Sequence, residues 1–264
     1  MNKEVVLRIL KQLLESMPKW IFPVSAALSC IVYPQMEKIV IIPRKNFCRV
    51  IWKRRNLFAP SKSNSLLFAY PRPFQRWLRI RRGDVVFEGG STIGEDTVRI
   101  AEIVGSEGRV FAVEPDPVNL KFLQMNVRGF RNVKVIGNGI WKCKGELYFY
   151  VEGTLSGSIL ISGEVIKRSK YIKIPVDSID NMVRGEKVDI IKLNIEGAEI
   201  EVLEGAKRTL KTVREVLIAA HHIRNGEYTA KKVANILGSE GFHVKIVHGI
   251  LAHHYVVARR SVTP

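Results

Sequence analysis

Apolar and polar positions follow two different patterns along the chain, and the change comes at Gly83. After that residue, short apolar runs such as residues 85–87 alternate with segments such as residues 96–104, in which apolar residues recur every three or four positions. This alternation predicts strands that alternate with helices, and therefore a parallel sheet covered by helices. Further strands are predicted at residues 109–113, 133–136, 189–193, 215–220, 243–247 and 255–258, further helices at 117–128, 199–210 and 230–239, and an added hairpin at 147–151 and 171–176.

The preceding part of the chain has a different organisation. Apolar residues at helical spacing predict an amphipathic helix at residues 3–16. Two short strands are predicted at residues 39–42 and 47–52, and a loop rich in Pro and Ser follows them. We therefore expect two domains, a small α+β domain at residues 1–83 and a larger α/β domain at residues 84–264.

Two features of the sequence bear on its location. The apolar run at residues 20–33 has 14 residues and contains Pro23, whereas a helix needs about 20 apolar residues to span a bilayer. We expect this run to be a core segment, and we expect no membrane anchor. The cysteines Cys30, Cys48 and Cys143 form neither a disulfide framework nor a CxxC metal pair, which favours a reducing, cytoplasmic location.

The net charge is uneven along the chain. The 264 residues contain 42 Lys and Arg against 25 Asp and Glu, and 46% of them are apolar, a composition that excludes a disordered or collagenous protein. Residues 38–83 contain 13 basic and no acidic residues, whereas residues 84–264 contain 25 basic and 22 acidic residues. Most of the formal charge of +17 therefore lies in one short segment, which indicates an anionic partner.

A glycine-rich turn follows the first predicted strand of the larger domain. Its sequence is Glu88-Gly-Gly-Ser-Thr-Ile-Gly94, and it leads into a predicted helix. Glycines let the backbone approach a ligand closely, and the helix N-terminus presents free N–H groups, so this turn indicates a nucleotide cofactor. A turn with purely structural glycines is the alternative. The predicted cofactor-binding residues of the glycine turn are Glu88, Gly89, Gly90, Ser91, Thr92 and Gly94.

Two further parts of the sequence are suited to contact the same nucleotide cofactor. Glu114 stands at the end of the next strand, about 20 residues beyond the turn, where its carboxylate can accept hydrogen bonds from both hydroxyls of an adenosine ribose. Alternatively, Glu114 caps the following helix. At the end of the third strand, Asn138, Gly139 and Ile140 could contact an adenine ring, although Asn-Gly is also an ordinary turn.

Several motifs together resemble one family of enzymes. They are the glycine turn, Val113-Glu-Pro-Asp116, Lys144-Gly145 before a strand, Pro175-Val-Asp-Ser-Ile179, and Ile191-Lys-Leu-Asn-Ile-Glu-Gly-Ala-Glu199 followed by Val202-Leu-Glu-Gly-Ala206. In these motifs, residues 83–258 resemble the FkbM-type family of S-adenosylmethionine-dependent methyltransferases. The most specific part is the pair Ile-Glu-Gly-Ala-Glu and Leu-Glu-Gly-Ala.

The resemblance implies a fold, a cofactor and a site. The fold is α/β, a doubly wound, mostly parallel seven-stranded sheet of the Rossmann-like class, with S-adenosylmethionine bound at the carboxyl ends of its strands. Glu88 and the glycine turn would face the methionine moiety, and Glu114 would face the ribose. Asn194 and Glu196 would lie beside the sulfonium. Because the methyl group is already activated on sulfur, catalysis needs mainly in-line positioning and help with one acceptor proton.

Two departures from the family pattern bear on the acceptor. The family usually has Gly-Ala-Asn in the turn and Asp in the place of Asn194, whereas this chain has Gly-Ser-Thr and a neutral amide. An Asp there could bind a cation or act as a base for a sugar hydroxyl, and an amide performs both roles poorly. The departure therefore argues against a sugar acceptor.

The basic segment at residues 38–83 favours RNA as the acceptor. Its Lys and Arg residues alternate with aromatic residues, and such side chains neutralise phosphates and stack on bases. Core aromatics with a solvated basic face, or a basic surface for anionic lipids, are the alternatives. The predicted acceptor-binding residues are Arg49, Lys53, Arg54, Arg55, Arg72, Arg76, Trp77 and, outside the segment, Trp141.

The predicted catalytic residues lie at two strand ends. Asn194 and Glu196 would hold a flipped base by its amino edge, with an aromatic side chain stacked on it. His221 and His222 follow a predicted strand at the carboxyl rim of the sheet. They could contact the acceptor or move a proton, unless they are simply a polar strand end.

We therefore expect a methyltransferase of structured RNA, with ribosomal RNA favoured over tRNA and a base amino group, such as that of cytidine, favoured over a ribose hydroxyl. The alternatives are an FkbM-type O-methyltransferase of a sugar or lipid-linked glycan, and a non-catalytic RNA-binding protein. No metal is expected, because His248, His253 and His254 look like hairpin residues without supporting ligands. A composition rich in Lys, Arg, Glu and Ile with few Gln resembles that of thermophilic archaea.

Overall fold

The computed structural model of the protein describes residues 39–44, 47–52, 55–60, 73–151, 158–159, 171–224, 226–248 and 254–261. The predicted helix at residues 3–16 and the apolar run at 20–33 lie outside these residues. In chain order, the strands are β1 (Ile39–Pro43), β2 (Phe47–Trp52), β3 (Arg55–Pro60), β4 (Val85–Gly89), β5 (Arg109–Val113), β6 (Val133–Ile136), β7 (Gly139–Ile140), β8 (Gly145–Tyr150), β9 (Ser158–Ile159), β10 (Tyr171–Asp177), β11 (Ile190–Leu193), β12 (Glu215–Ala219), β13 (Ile223–Arg224), β14 (Glu227–Tyr228), β15 (His243–His248) and β16 (His254–Arg259). The helices are α1 (Pro73–Trp77), α2 (Glu95–Val104), α3 (Pro117–Val127), α4 (Ile179–Met182), α5 (Glu199–Glu204), α6 (Lys207–Leu210) and α7 (Thr229–Ser239). None of the helices in the described ranges is long and apolar enough to cross a membrane.

A seven-stranded sheet with the order β15-β16-β12-β11-β4-β5-β6 forms the centre of the described structure. The strands from β12 to β6 run parallel, whereas β16 and β15 pair antiparallel at one edge. Every residue of β11 and β12 is buried, as expected for strands that are covered on both faces. The prediction of a doubly wound, mostly parallel seven-stranded sheet of the Rossmann-like class is confirmed.

Consecutive residues of a strand pack in different apolar clusters, because side chains alternate between the two faces of a sheet. Phe87 of β4 packs on one face, in the cluster that contains Val202 of α5 and residues of α7. The preceding residue, Val86, packs on the other face with Ile100 of α2. The helices therefore form a layer on each side of the sheet, and the carboxyl ends of the parallel strands meet at one edge.

One predicted helix is wrong in its extent, and some elements were not predicted. The helix expected at residues 199–210 is interrupted at Gly205, between α5 and α6. A Cβ atom on Gly205 would lie 2.7 Å from the carbonyl oxygen of Trp141, so a side chain at this position would clash with the segment after β7. Strands β3, β7 and β9, helices α1 and α4, and the hairpin of β13 and β14 were not predicted. The other predicted elements that lie within the described residues agree to within two residues.

A second, three-stranded sheet of β1, β2 and β3 packs on α3. Trp52 and Leu57 are buried in one cluster with Leu123 of α3. The side chain of Asn126 accepts a hydrogen bond from the Phe58 N–H at 2.7 Å and donates one to the Phe58 carbonyl at 2.8 Å. Trp52 is therefore a core residue, which was the alternative to base stacking. The division of the chain into two domains stays a prediction.

Candidate active site

The glycine turn lies directly against the loop that follows β11. Gly90 has a φ of 74°, and a Cβ atom there would lie 1.9 Å from the carbonyl oxygen of Asn194. The Asn194 N–H donates a hydrogen bond to the Gly89 carbonyl at 3.0 Å. Only glycine fits at position 90, because the positive φ and the nearby carbonyl oxygen of Asn194 both exclude a side chain. The predicted cofactor turn and Asn194, whose side chain is exposed, therefore meet at the carboxyl edge of the sheet.

Glu88 points into the interior of the protein. Its fully buried carboxylate accepts hydrogen bonds from the hydroxyls of Ser91 and Thr97, and it lies 2.9 Å from Lys192 Nζ. Lys192 Nζ also lies 2.9 Å from Asp96 Oδ2. Glu88 thus supports the glycine turn from the interior, and its contact with the methionine moiety stays a prediction.

Lys192 was not among the residues predicted from the sequence, although a lysine within the otherwise apolar β11 indicates a buried ion pair. Burial by itself lowers the pKa of the Lys192 ammonium group. The charges and hydrogen bonds of Asp96 and Glu88 outweigh this effect, so the pKa is raised above its ordinary value. Lys192, Glu88 and Asp96 consequently form a buried ion cluster beneath the turn.

Glu114 lies at the end of β5, beside the glycine turn, and is 5% exposed. Its Oε2 accepts a hydrogen bond from the Thr92 N–H at 2.8 Å, and its Oε1 accepts one from the Asp116 N–H at 2.9 Å. Burial raises the pKa of Glu114 to about 8, against the lowering effect of these two hydrogen bonds. Asp116, and not Glu114, caps α3. Glu114 therefore lies beside the turn, and its contact with a ribose stays a prediction.

The residues predicted to contact adenine also approach the turn. Gly139 and Ile140 are buried and Asn138 is half-buried. A Cβ atom on Gly89 would lie 2.5 Å from Ile140 Cδ1, so Ile140 packs against the end of β4. Trp141 is half-buried and packs against two apolar clusters, and its stacking on an acceptor stays a prediction.

A polar cluster joins the loop after β11 to the residues after β12. Glu196 has a φ of 53°, which is uncommon for a residue other than glycine, and its Oε2 lies 3.1 Å from His222 Nε2. His222 Nδ1 lies 3.4 Å from Oε1 of Glu199. The Glu199 carboxylate is fully buried and accepts a hydrogen bond from the Gly197 N–H at 2.8 Å. Glu199 was missed in the sequence although it ends the most specific motif.

His222 lies between these two carboxylates. Burial by itself lowers the pKa of His222, but the hydrogen bonds and charges of Glu196 and Glu199 raise it to about 9. The ring centroid of His221 lies 4.5 Å from that of His222. One ligand atom from each of Glu196, His221 and His222 lies within 4.8 Å of the others. Three of the four predicted catalytic residues thus come together, in a grouping that the sequence had not indicated.

Two of the predicted acceptor-binding residues, Arg76 and Trp77, lie near the amino ends of the parallel strands, away from the candidate site at the carboxyl ends. The carbonyl of Trp77 accepts a hydrogen bond from Arg259 at 2.6 Å, and Arg259 pairs with Glu215, the first residue of β12. Since β12 spans about 16 Å, Trp77 and the neighbouring Arg76 lie far from His222, which follows the other end of that strand. Trp77 therefore cannot stack on a base held at Asn194. A more remote acceptor contact by Arg76 and Trp77 stays a prediction.

Arg49 and Arg55 make contacts within the protein. Arg49 donates two hydrogen bonds to Asn56 Oδ1, at 2.9 and 2.7 Å. Arg55 pairs with Glu102 at 2.6 Å, and its guanidinium group lies 4.4 Å from the ring centroid of Phe130. The remaining predicted residues of the basic segment, Lys53, Arg54 and Arg72, lie outside the described residues.

Comparison with known proteins gives matches of two kinds. The sequence pattern of the methyltransferase FkbM domain matches residues 88–244. Hexuronic acid methyltransferase AglP of Haloferax volcanii is 27% identical over 183 residues, which cover 67% of this chain and 71% of that protein.

Similar solved structures include those of a fibrillarin and of an rRNA methylase. Aeropyrum pernix fibrillarin with natively bound S-adenosyl-L-methionine has 16% identity and a TM-score of 0.46, with coverage of 84% of this chain and 100% of that chain. An rRNA methylase from Streptococcus thermophilus has 14% identity and a TM-score of 0.42, with coverage of 69% and 89%. Neither similarity bears on the acceptor of this chain.

Proposed function

Since the chain belongs to the FkbM family of S-adenosylmethionine-dependent methyltransferases, we propose that it transfers the methyl group to a hydroxyl oxygen of a sugar acceptor. The observation that carries this proposal is the cluster of Glu196, His222 and Glu199 beside the glycine turn. The relative from Haloferax volcanii, which its name describes as a hexuronic acid methyltransferase, supports a sugar as the acceptor.

Methyl transfer to a hydroxyl needs a group that takes the proton as the new C–O bond forms. The side chain of Glu196 is 22% exposed and is held by His222, so its carboxylate can reach an acceptor and receive this proton. The neutral amide of Asn194 does not prevent this role, because the carboxylate stands two residues further along the same loop.

The experiment is an acceptor screen with the purified protein and S-adenosylmethionine labelled on the methyl group. Glucuronic and galacturonic acid oligosaccharides, a matched neutral glucose oligosaccharide and total RNA serve as acceptors. We expect label in a sugar, as an ether that survives mild alkali. Label that alkali releases would indicate a methyl ester, and label in RNA alone would contradict the sugar acceptor.

The affinity for S-adenosylmethionine should rise with pH because of Glu114. A carboxyl group with a pKa of about 8 is largely protonated at pH 6.5, whereas the ribose hydroxyls hydrogen-bond best to the ionised form. Binding should therefore weaken about tenfold for each pH unit below 8. Calorimetry of the wild type and of Glu114→Gln between pH 6 and 9 measures this effect. Because the amino group of the ligand titrates equally with both proteins, an equal pH dependence in the variant would show that Glu114 is not involved.

RNA is a second candidate acceptor, favoured by the charge of residues 38–83, which contain 13 basic and no acidic residues. The side chains of Arg76, Arg79 and Arg81 are exposed and available to phosphates. If the protein binds RNA, replacing these three arginines by Ser should reduce the slope of log affinity against log salt concentration by about 2 to 3. Filter binding to total RNA between 50 and about 300 mM salt measures the slope. No binding at the lowest salt concentration would remove this candidate.

A further inference from the structure

Two imidazoles and one carboxylate converge beside the glycine turn. Glu196 belongs to the loop after β11, and His221 and His222 follow β12, the neighbouring parallel strand. One ligand atom from each of the three residues lies within 4.8 Å of the others. All three side chains are partly exposed, so a ligand can reach them from solvent.

We propose that Glu196, His221 and His222 bind a divalent transition-metal ion beside the cofactor, and that this ion holds the acceptor hydroxyl. The role of the ion in catalysis rests on the proposed function, whereas the binding site itself does not.

The ligand set indicates which class of ion fits. Imidazole nitrogens suit Zn²⁺, Co²⁺, Fe²⁺ and Ni²⁺, whereas Mg²⁺ and Ca²⁺ prefer oxygen ligands. Three protein ligands leave at least one coordination position for water or substrate, as in catalytic zinc sites. A site of this composition is therefore suited to hold an oxygen atom of the acceptor.

The distances agree with such a site. Ligand atoms about 2.1 Å from one ion lie roughly 3.4 Å apart in tetrahedral geometry. Glu196 Oε2 and His222 Nε2 are 3.1 Å apart, and no pair in the group exceeds 4.8 Å. Side-chain movements of about 1 Å would therefore close the three residues around an ion.

Metal-bound histidines usually donate a hydrogen bond from their other ring nitrogen to a carboxylate or carbonyl, and Glu199 is placed to accept it. If His222 binds the ion through Nε2, its Nδ1–H faces Glu199 Oε1 at 3.4 Å. A carboxylate in this place fixes the orientation and protonation of a histidine ligand. The other oxygen of Glu199, Oε2, is buried without a hydrogen-bond partner among the described residues.

The backbone of Glu196 also indicates a site that is held in place. A φ of 53° is unfavourable for a residue other than glycine, and such positions cluster at functional sites. Gly197 follows with a φ of 105°, so this sharp turn directs the Glu196 carboxylate towards the histidines.

With the ion bound, the acceptor hydroxyl would occupy an open coordination position. The ion would stabilise the oxygen as its proton leaves for the second oxygen of Glu196. The oxygen would then form a bond to the methyl carbon of S-adenosylmethionine as the C–S bond breaks, and the electron pair of that bond would go to sulfur.

The test is a titration of the full-length, untagged, chelator-treated protein with Co²⁺, followed by visible absorption and by calorimetry. We expect one equivalent of Co²⁺ to bind, with absorption bands that Zn²⁺ abolishes and Mg²⁺ does not. His222→Asn and Glu196→Gln should each lower the affinity at least tenfold. Glu199→Gln, a positioning variant, should lower it about 10- to 100-fold and alter the Co²⁺ spectrum.

His243→Asn is the matched control, because His243 is exposed and bonds to Ser261 instead of to the cluster. Its Co²⁺ affinity should equal that of the wild type, and thermal unfolding checks that every variant is folded. Absence of stoichiometric binding, or equal losses in His222→Asn and His243→Asn, would overturn the site. Sugar methylation without Co²⁺ binding would defeat the site alone, whereas Co²⁺ binding without sugar methylation would defeat only the proposed function.

Discussion

Replacement of Glu196 by Gln should slow methyl transfer by about 100- to 10,000-fold, the usual range for loss of a proton acceptor. The amide keeps the size of the side chain but can neither receive the acceptor proton nor serve as an anionic ligand. The variant should still bind S-adenosylmethionine, because the contacts predicted for the glycine turn, for Glu114 and for residues 138–140 are all kept. Single-turnover transfer of labelled methyl groups gives the rate, and calorimetry with S-adenosylmethionine gives the affinity.

Glu204→Gln is the control for this prediction. Glu204 is an exposed residue of α5, so its replacement removes the same charge from the same part of the chain without touching the cluster. Its turnover should equal that of the wild type. Equal turnover in Glu196→Gln would show that Glu196 has no role in the transfer step.

The second large effect concerns the stability of the fold. Lys192→Met should lower the free energy of unfolding by about 3–5 kcal/mol at pH 7, because it leaves two buried carboxylates without their counter-charge. Both Glu88 Oε1 and Asp96 Oδ2 lie 2.9 Å from Lys192 Nζ, and all three side chains are at most 10% exposed. Urea unfolding followed by circular dichroism measures the loss. The cluster lies directly beneath the glycine turn, so cofactor binding should weaken as well.

Two further variants test the explanation for Lys192. Lys173→Met removes an exposed lysine that pairs with Glu146, and we expect no change in its urea midpoint. Combining Lys192→Met with Glu88→Gln and Asp96→Asn should recover part of the lost stability, because the unpaired charges are then absent. If the triple variant is no more stable than Lys192→Met, unpaired charge is not the cause of the loss.

Short-range patterns were sufficient for the elements that position the cofactor turn. The apolar run of β4, the glycines after it and the helical spacing of α2 lie within about 20 consecutive residues, so their arrangement follows from local periodicity and from the backbone freedom of glycine. The interruption of the predicted helix at Gly205 could not be predicted from such short-range patterns. Gly205 lies against the backbone of Trp141, which is far away in the sequence.

Whether an aromatic residue is buried or exposed also could not be predicted from the sequence. Trp52 lies in a basic segment, and its alternation with Arg and Lys is compatible with either an exposed or a buried ring. The packing of β2 and β3 on α3 buries it, with the guanidinium group of Arg99 4.2 Å from the ring centroid. Burial of a side chain depends on which surface covers its strand, and the covering residues lie beyond the segment itself.

The sequence by itself determined the order of the main strands and helices after Gly83, the glycine turn and the family. These features rest on spacing between neighbouring residues and on short motifs. Only the tertiary structure decided which side chains meet. Glu88 and Lys192 are 104 residues apart and Glu196 and His222 are 26 apart, yet each pair is in contact because β11 lies between β4 and β12. The strand order of a parallel sheet therefore assembles both the buried ion cluster and the polar cluster at its carboxyl edge.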